Sequence, residues 1–418
     1  MNKYLKKDYK ILISNIFFSG FFQIVTYLSP LITTPYLVRV IGIEKFGLIS
    51  FATVFFTYIY SITDFGFMVT ANREVAINKD SPSQLGKVFI NVLSAKLLLG
   101  LIAFVVFITS FLFIPKIANN SLLFYWGFSI VIGRILMPNW FFQGLEKMKS
   151  LSLINLFSQI LFIILIFLFV KYPQHYPRVL FIQGVSYSIA SIIGLFWGVF
   201  KYLKKEYLVF NLKGTIYQIK TAFPVFIISL SSISYNNANI FILGLFTNNT
   251  LVGYFSLADK VITLIKQCIG GLGIALLPSI SRLTKQTYKE VELFFQKFYL
   301  FFVIVIIILS VVIAFFSQKI ILVLTGHSQL ESEKILFYLS GTLIIIILSS
   351  IPYLILLSYD KKKGISIIIM IGSILNLFFN FLLVPLFSIE GTIWSIYLTE
   401  VFIFAGYLFI FNKVRNTL

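Results

Sequence analysis

Seven ionisable residues, Asp64, Lys96, Arg134, Asp259, Lys260, Lys266 and Glu400, stand inside stretches otherwise built of Leu, Ile, Val and Phe. A charge in apolar surroundings is expensive unless it is paired or faces water, so each marks either an ion pair or a wet cavity. The acids Asp64, Asp259 and Glu400 suit two tasks: pairing with a nearby cation, or taking up and releasing H+ or Na+. Soluble-enzyme chemistry finds no footing. The letters DFG at Asp64 to Gly66 lie in an apolar run with no catalytic or phosphate loop around them. GGLG at Gly270 to Gly273 follows no strand and reads as close helix packing. There is no Walker A pattern. The two histidines, His175 and His327, are far apart in loops, so neither a metal site nor a histidine base is expected.

The elements that must position these charges follow from the solvent. With 59% hydrophobic and 12% charged residues among 418 and a mean hydropathy of +0.95, the chain cannot cover itself with polar surface in water. It is read as an integral membrane protein. "YLFFVIVIIILSVVIAFF" from Tyr299 to Phe316 has no charge and spans most of a hydrocarbon core of roughly 30 Å as a helix. In lipid the backbone must satisfy its own hydrogen bonds, and these runs lack the alternation of a β-barrel, so the fold class is all-α and polytopic. About twelve spans of roughly 20 residues are expected: 11–36, 47–72, 88–114, 122–142, 151–170, 178–200, 221–246, 252–277, 293–316, 334–357, 365–387 and 391–411. The first is too long for a signal peptide and has no small-residue cleavage site, so it counts as a helix.

Lysine and arginine orient the spans. With the N-terminus in the cytoplasm, 22 of them fall on that side, including Lys285 and Lys289, against 7 outside; both termini are expected inside. The net charge of +19 thus belongs to loops at a bilayer face and not to a nucleic-acid footprint. The single cysteine, Cys268, excludes a disulfide framework.

A basic segment, Lys201 to Lys220, divides the chain into lobes 1–200 and 221–418 and is expected to lie along the inner headgroups. The halves echo each other: "FGLISFA" from Phe46 matches "VGYFSLA" from Val252, and "PNWFFQGLEKMK" from Pro138 matches "PYLILLSYDKKK" from Pro352. A repeat of six helices preserves orientation, so the lobes should be related by a pseudo-two-fold axis along the membrane normal. Pro138 removes a backbone donor and is expected to kink the fourth span. Counted from the cytoplasmic ends, Asp64, Lys96 and Arg134 share a depth of roughly 12 to 15 Å. An ion pair between Asp64 and Lys96 or Arg134 stands as an alternative to a transport role, and Lys266 and Lys297 are expected to snorkel.

Together "PYLVRVIGIEKFGLISF" (Pro35 to Phe51), "DFGFMVTANREVA" (Asp64 to Ala76) and "PNWFFQGLEKMK" (Pro138 to Lys149), with "LGLFTNNTLVGYFSLADKV" (Leu243 to Val261) more loosely, resemble the Wzx-type polysaccharide flippases of the multidrug/oligosaccharidyl-lipid/polysaccharide exporter superfamily. The resemblance implies flipping of an undecaprenyl-diphosphate-linked oligosaccharide to the outer leaflet of the bacterial inner membrane by alternating access. The purpose would be O-antigen, capsule or exopolysaccharide assembly, with polymerase machinery as a partner and no cofactor beyond a coupled H+ or Na+. Multidrug export is the alternative within the superfamily, and a membrane glycosyltransferase or polymerase a remoter one. On this reading Arg134, Lys96 and, later in the cycle, Lys260 hold the diphosphate, arginine because its planar fork binds phosphate bidentately. Asn155, Gln159, Asn236, Asn237, Asn239, Asn376 and Asn380 then serve either as glycan contacts or as bonds between helices.

Overall fold

The computed structural model describes residues 3–283 and 293–415; Lys285 and Lys289 lie outside the described residues. All regular secondary structure among them is helical. In order, the α-helices are α1 Lys3–Asp64, α2 Phe67–Asn78, α3 Pro82–Phe113, α4 Pro115–Ala118, α5 Ser121–Gly127, α6 Ser129–Ile135, α7 Asn139–Gly144, α8 Met148–Phe169, α9 Tyr176–Tyr202, α10 Leu212–Phe246, α11 Asn249–Leu283, α12 Leu300–Phe315, α13 Ser317–Thr325, α14 Leu330–Ser340, α15 Thr342–Ser358 and α16 Lys362–Arg415.

Among the described residues eight helical segments are long and apolar enough to cross a membrane, and nine if α12 and α13, bent by 68° at their junction, count as one span. This is a multi-pass membrane protein. Two of the longest elements are broken inside: α1 at Gly42 (φ 79°, ψ 162°) and α16 at Ser388 (φ 52°, ψ −122°). Helix α11 carries Asp259, Lys260 and Lys266.

Burial on these helices is inverted relative to a protein in water. On α3 the large side chains Leu101, Val105, Leu112 and Phe113 are exposed, whereas Asn91, Ala95, Lys96, Gly100, Ala103 and Ser110 face inward. Small and polar residues inside let helices approach closely and bond to each other, and bulky apolar ones meet lipid.

The chain forms two compact units. Unit 1 comprises Met1–Gly42 and Ala52–Leu230, and unit 2 comprises Ile43–Phe51 and Ser231–Leu418. The core of unit 1 gathers Phe67, Val75, Phe89, Trp140, Phe141 and Ala222. A core in unit 2 gathers Leu356, Ile365, Ile368, Ile403 and Tyr407. Residues 43–51 join unit 2 because the two glycines matched between the sequence halves meet there. A Cβ on Gly47 would lie 2.5 Å from the Gly253 nitrogen and 2.9 Å from its Cα, so the two helices cross backbone on backbone.

The second and fourth spans expected from sequence are not continuous helices. DFG, set aside as a chance match inside a span, is the turn that ends α1 and starts α2, with Phe65 at φ 46° and Gly66 at φ 85°. Only glycine fits at position 66: the φ is left-handed, and a Cβ would sit 2.9 Å from Val225 Cγ1. Phe65 stacks on Phe226, with ring centroids 4.4 Å apart and planes 11° apart. In the fourth span Pro138 does more than kink. Helix α6 stops at Ile135 and α7 starts at Asn139, because proline offers no N–H and disfavours a helical residue before it.

Candidate functional site

Each break delivers one charged side chain to a cavity in unit 1. Asp64 is the last residue of α1 and Arg134 the penultimate residue of α6. An unbroken helix would bond the amide of residue 138 to the carbonyl of residue 134, but residue 138 is proline. The Arg134 carbonyl accepts instead from the Met137 amide at 3.3 Å, one residue short of the helical partner, and from Lys96 Nζ at 3.2 Å. Lys96 is 1% exposed, and its ammonium sits at the negative end of a helix fragment, where a cation is favoured. Glycines fix the other side of Arg134. A Cβ on Gly133 would lie 2.7 Å from Tyr187 Cβ and 2.9 Å from the Gly184 carbonyl oxygen, so α6 and α9 touch backbone to backbone. That contact places Arg134 against Tyr187.

The cavity has a volume of about 220 Å³ and takes Tyr60, Asp64, Lys96, Arg134, Asn155, Gln159 and Tyr187 into its wall, along with Met137, Asn139 and Trp140. Arg134 donates from Nη2 to the Tyr187 hydroxyl at 3.0 Å, and its guanidinium carbon lies 4.8 Å from the centre of the Tyr60 ring and 4.7 Å from that of Tyr187. Asp64 accepts from the Tyr60 hydroxyl at 3.2 Å. Asn155 donates to Asn139 Oδ1 at 3.2 Å and to the Leu151 carbonyl at 2.9 Å. The ion pair considered for Asp64 is replaced: neither Lys96 nor Arg134 bonds it directly. Lys96 is drawn to the broken helix end, and Tyr60, four residues before Asp64 on the same helix face, holds the carboxylate.

Unit 2 has its own cavity, of about 240 Å³, lined among others by Tyr235, Asp259, Thr263, Lys266, Thr399 and Glu400 and by the amides of Asn236, Asn239 and Asn376. Glu400, 4% exposed, accepts from the Tyr235 hydroxyl at 2.6 Å and pairs with Lys266 at 3.7 Å. Lys266 therefore does not snorkel, since a buried carboxylate within reach is the stronger attraction. Asp259 accepts from Thr263 at 3.4 Å. Asn376 donates to Thr399 at 3.2 Å, and Asn380, behind the wall, donates to Asn239 Oδ1 at 2.9 Å. Asn236 and Asn237 donate to the carbonyls of Ser232 and Ile233 on their own helix. Lys260, Asn237 and Asn380 are not in the cavity wall; the Lys260 ammonium lies 4.7 Å from the centre of the Phe46 ring. Of the residues that the sequence suggested, Asp64, Lys96, Arg134, Asn155 and Gln159 thus come together in unit 1, and Asp259, Glu400, Asn236, Asn239 and Asn376 in unit 2. Sequence reasoning missed Tyr60, Tyr187 and Tyr235. For Tyr60 and Asp64 the spacing of four was a signal; nothing in the spacing pointed to Tyr187.

Broken helices that bring charged groups to internal cavities of a polytopic bundle are a feature found in membrane transporters. The fold is similar to that of an inward-facing multidrug resistance MATE family transporter of the MOP superfamily (TM-score 0.73, 14% identity, covering 94% of this chain and 96% of that one). It is also similar to that of the lipid II flippase MurJ in an inward closed conformation (TM-score 0.72, 17% identity, covering 93% and 87%). The chain belongs to the polysaccharide biosynthesis protein family, which matches residues 12–284. Two relatives share nearly its whole length. A protein of Escherichia coli K12 named "Putative O-antigen transporter" is 29% identical over 92% of this chain and 93% of its own. One of the same name from Shigella dysenteriae is 27% identical over 90% and 94%.

Proposed function

We propose that this protein is a flippase that moves an undecaprenyl-diphosphate-linked oligosaccharide from the cytoplasmic to the outer leaflet of the bacterial inner membrane, supplying repeat units to a polysaccharide polymerase. Twelve crossings in two six-helix lobes, related by an axis along the membrane normal and with both termini cytoplasmic, would rock by alternating access. The fold is shared by drug exporters and a lipid flippase, so the choice of substrate rests on the full-length relatives and on one residue.

That residue is Arg134, a partly buried guanidinium in a cavity wall, bonded by no carboxylate among the described residues. Two phosphates and a glycan cannot enter hydrocarbon unaided, and a fork of N–H donors is the group that meets a phosphate bidentately. In a host lacking its own flippase, Arg134→Ala and Arg134→Gln are expected to abolish surface glycan while the protein accumulates normally, and Arg134→Lys to retain a part. Normal glycan export by a well-expressed Arg134→Ala protein would overturn the phosphate role. Asp64, Asp259 and Glu400 are the carboxylates able to couple transport to H+ or Na+, and the cavity amides Asn155, Gln159, Asn236, Asn239 and Asn376 are those placed to meet sugar hydroxyls.

A further inference from the structure

We infer that Tyr60 and Tyr187 are positioning residues that hold the Arg134 guanidinium charged but unneutralised, so that its donor fork is left for an oxyanion of the phosphate class. The inference rests on the flippase reading above and names how the unit 1 cavity selects its anion.

A buried arginine is usually compensated by a carboxylate. Such a pair would compete with an incoming anion, which would have to displace the acid. Here the acid of the same cavity wall, Asp64, is engaged by the Tyr60 hydroxyl at 3.2 Å. The guanidinium carbon lies instead 4.8 Å and 4.7 Å from two tyrosine ring centres, well inside the range of roughly 6 Å in which a ring face attracts a cation. Ring faces offset the desolvation of the cation without cancelling its charge. The Tyr187 hydroxyl accepts one Nη2 donor at 3.0 Å and thereby fixes the rotation of the fork. The backbone beneath is equally constrained: Gly133 is locked against Gly184, and the Arg134 carbonyl is held by Lys96. A guanidinium fixed in this way meets a bidentate oxyanion with little ordering cost left to bear. Lysine cannot replace it, because an ammonium has no fork and no plane to hold.

The test is equilibrium binding of radiolabelled geranylgeranyl diphosphate to the purified full-length protein in detergent. Tyr60→Leu and Tyr187→Leu should each weaken binding about ten-fold, in line with a desolvated cation–ring contact, whereas Tyr187→Phe, which keeps the ring, should stay within about three-fold; Tyr60→Phe keeps the ring but releases Asp64, and its loss should fall between the two. Arg134→Lys should also lose about ten-fold although the charge is kept. In the Arg134→Lys background, Tyr60→Leu should cost nothing more, because its effect passes through the guanidinium. An equal loss from Tyr60→Leu in both backgrounds would make the tyrosines merely structural and overturn the inference. So would wild-type affinity in Arg134→Lys, a comparison that stands even where the leucine variants fail to fold. Unchanged binding in Arg134→Ala would instead remove the phosphate role of the cavity itself, and the flippase reading of Arg134 with it.

Discussion

At the scale of residues, Arg134, Lys96 and Glu400 are compensated by partners that no regular spacing announced. Arg134 rests on two tyrosines, Lys96 on the Arg134 carbonyl at the helix break, and Glu400 on Tyr235 and Lys266. The absence of a direct Asp64–Arg134 bond predicts the outcome of a double replacement. A mutual ion pair would show Asp64→Ala restoring the accumulation lost on Arg134→Ala, as removal of an orphaned acid does. The arrangement observed predicts no such rescue, which immunoblotting of membranes would read. In unit 2 the reverse holds. Lys266→Met should lower thermal stability in detergent, and Lys266→Met/Glu400→Gln should recover most of the loss, because Glu400 is almost fully enclosed and suffers once its cation is gone. Additive losses in that pair would count against the coupling.

At the scale of elements, the breaks in the second and fourth spans do the placing, and each has a cause in one residue. Lys96→Met removes the charged donor that joins the Met137 amide on the Arg134 carbonyl. Loss of a hydrogen bond from a charged donor costs about 1.5 to 3 kcal/mol, so a lower melting temperature is expected, together with faster proteolysis around residues 134–139. Gly66→Ala forces a side chain into a left-handed conformation, at about 1 to 2 kcal/mol, and presses on Val225; its melting temperature should fall too. A melting temperature for Gly66→Ala equal to the parent's would mean that the α1–α2 turn relaxes freely.

At the scale of the whole molecule, the charge bias sets the expected topology. In a variant lacking Cys268, cysteines placed between Lys204 and Lys220 or at Lys361 to Lys363 should resist an impermeant thiol reagent in intact cells, and those at Asn119, His175 or Gln329 should react. The opposite pattern would invert the orientation. Energy coupling is a property of this scale too. If Asp64, Asp259 or Glu400 carries H+ or Na+, flipping in vesicles should slow when both gradients are collapsed, and an unchanged rate would leave these acids with structural work alone.

How much of this was legible before any coordinates can be told residue by residue. Apolar run length, the excess of lysine and arginine on alternate loops, and the isolated charges Asp64, Lys96, Arg134, Asp259 and Glu400 all follow from transfer free energies, which depend on residue type and local order. Helix rather than strand followed as well, because a backbone in lipid has few ways to satisfy itself. Partner choice did not follow. Whether Asp64 meets Arg134 or Tyr60 depends on the rotation of each helix about its axis, and that rotation is set by the close packing of Gly133 on Gly184 and of Gly66 on Val225. Lys266 and Glu400 are far apart in the sequence, and nothing local distinguishes a lysine that reaches for headgroups from one that finds a carboxylate. Packing distant segments together in one unit settles it, because the strongest partner within reach is known only once the helices are side by side.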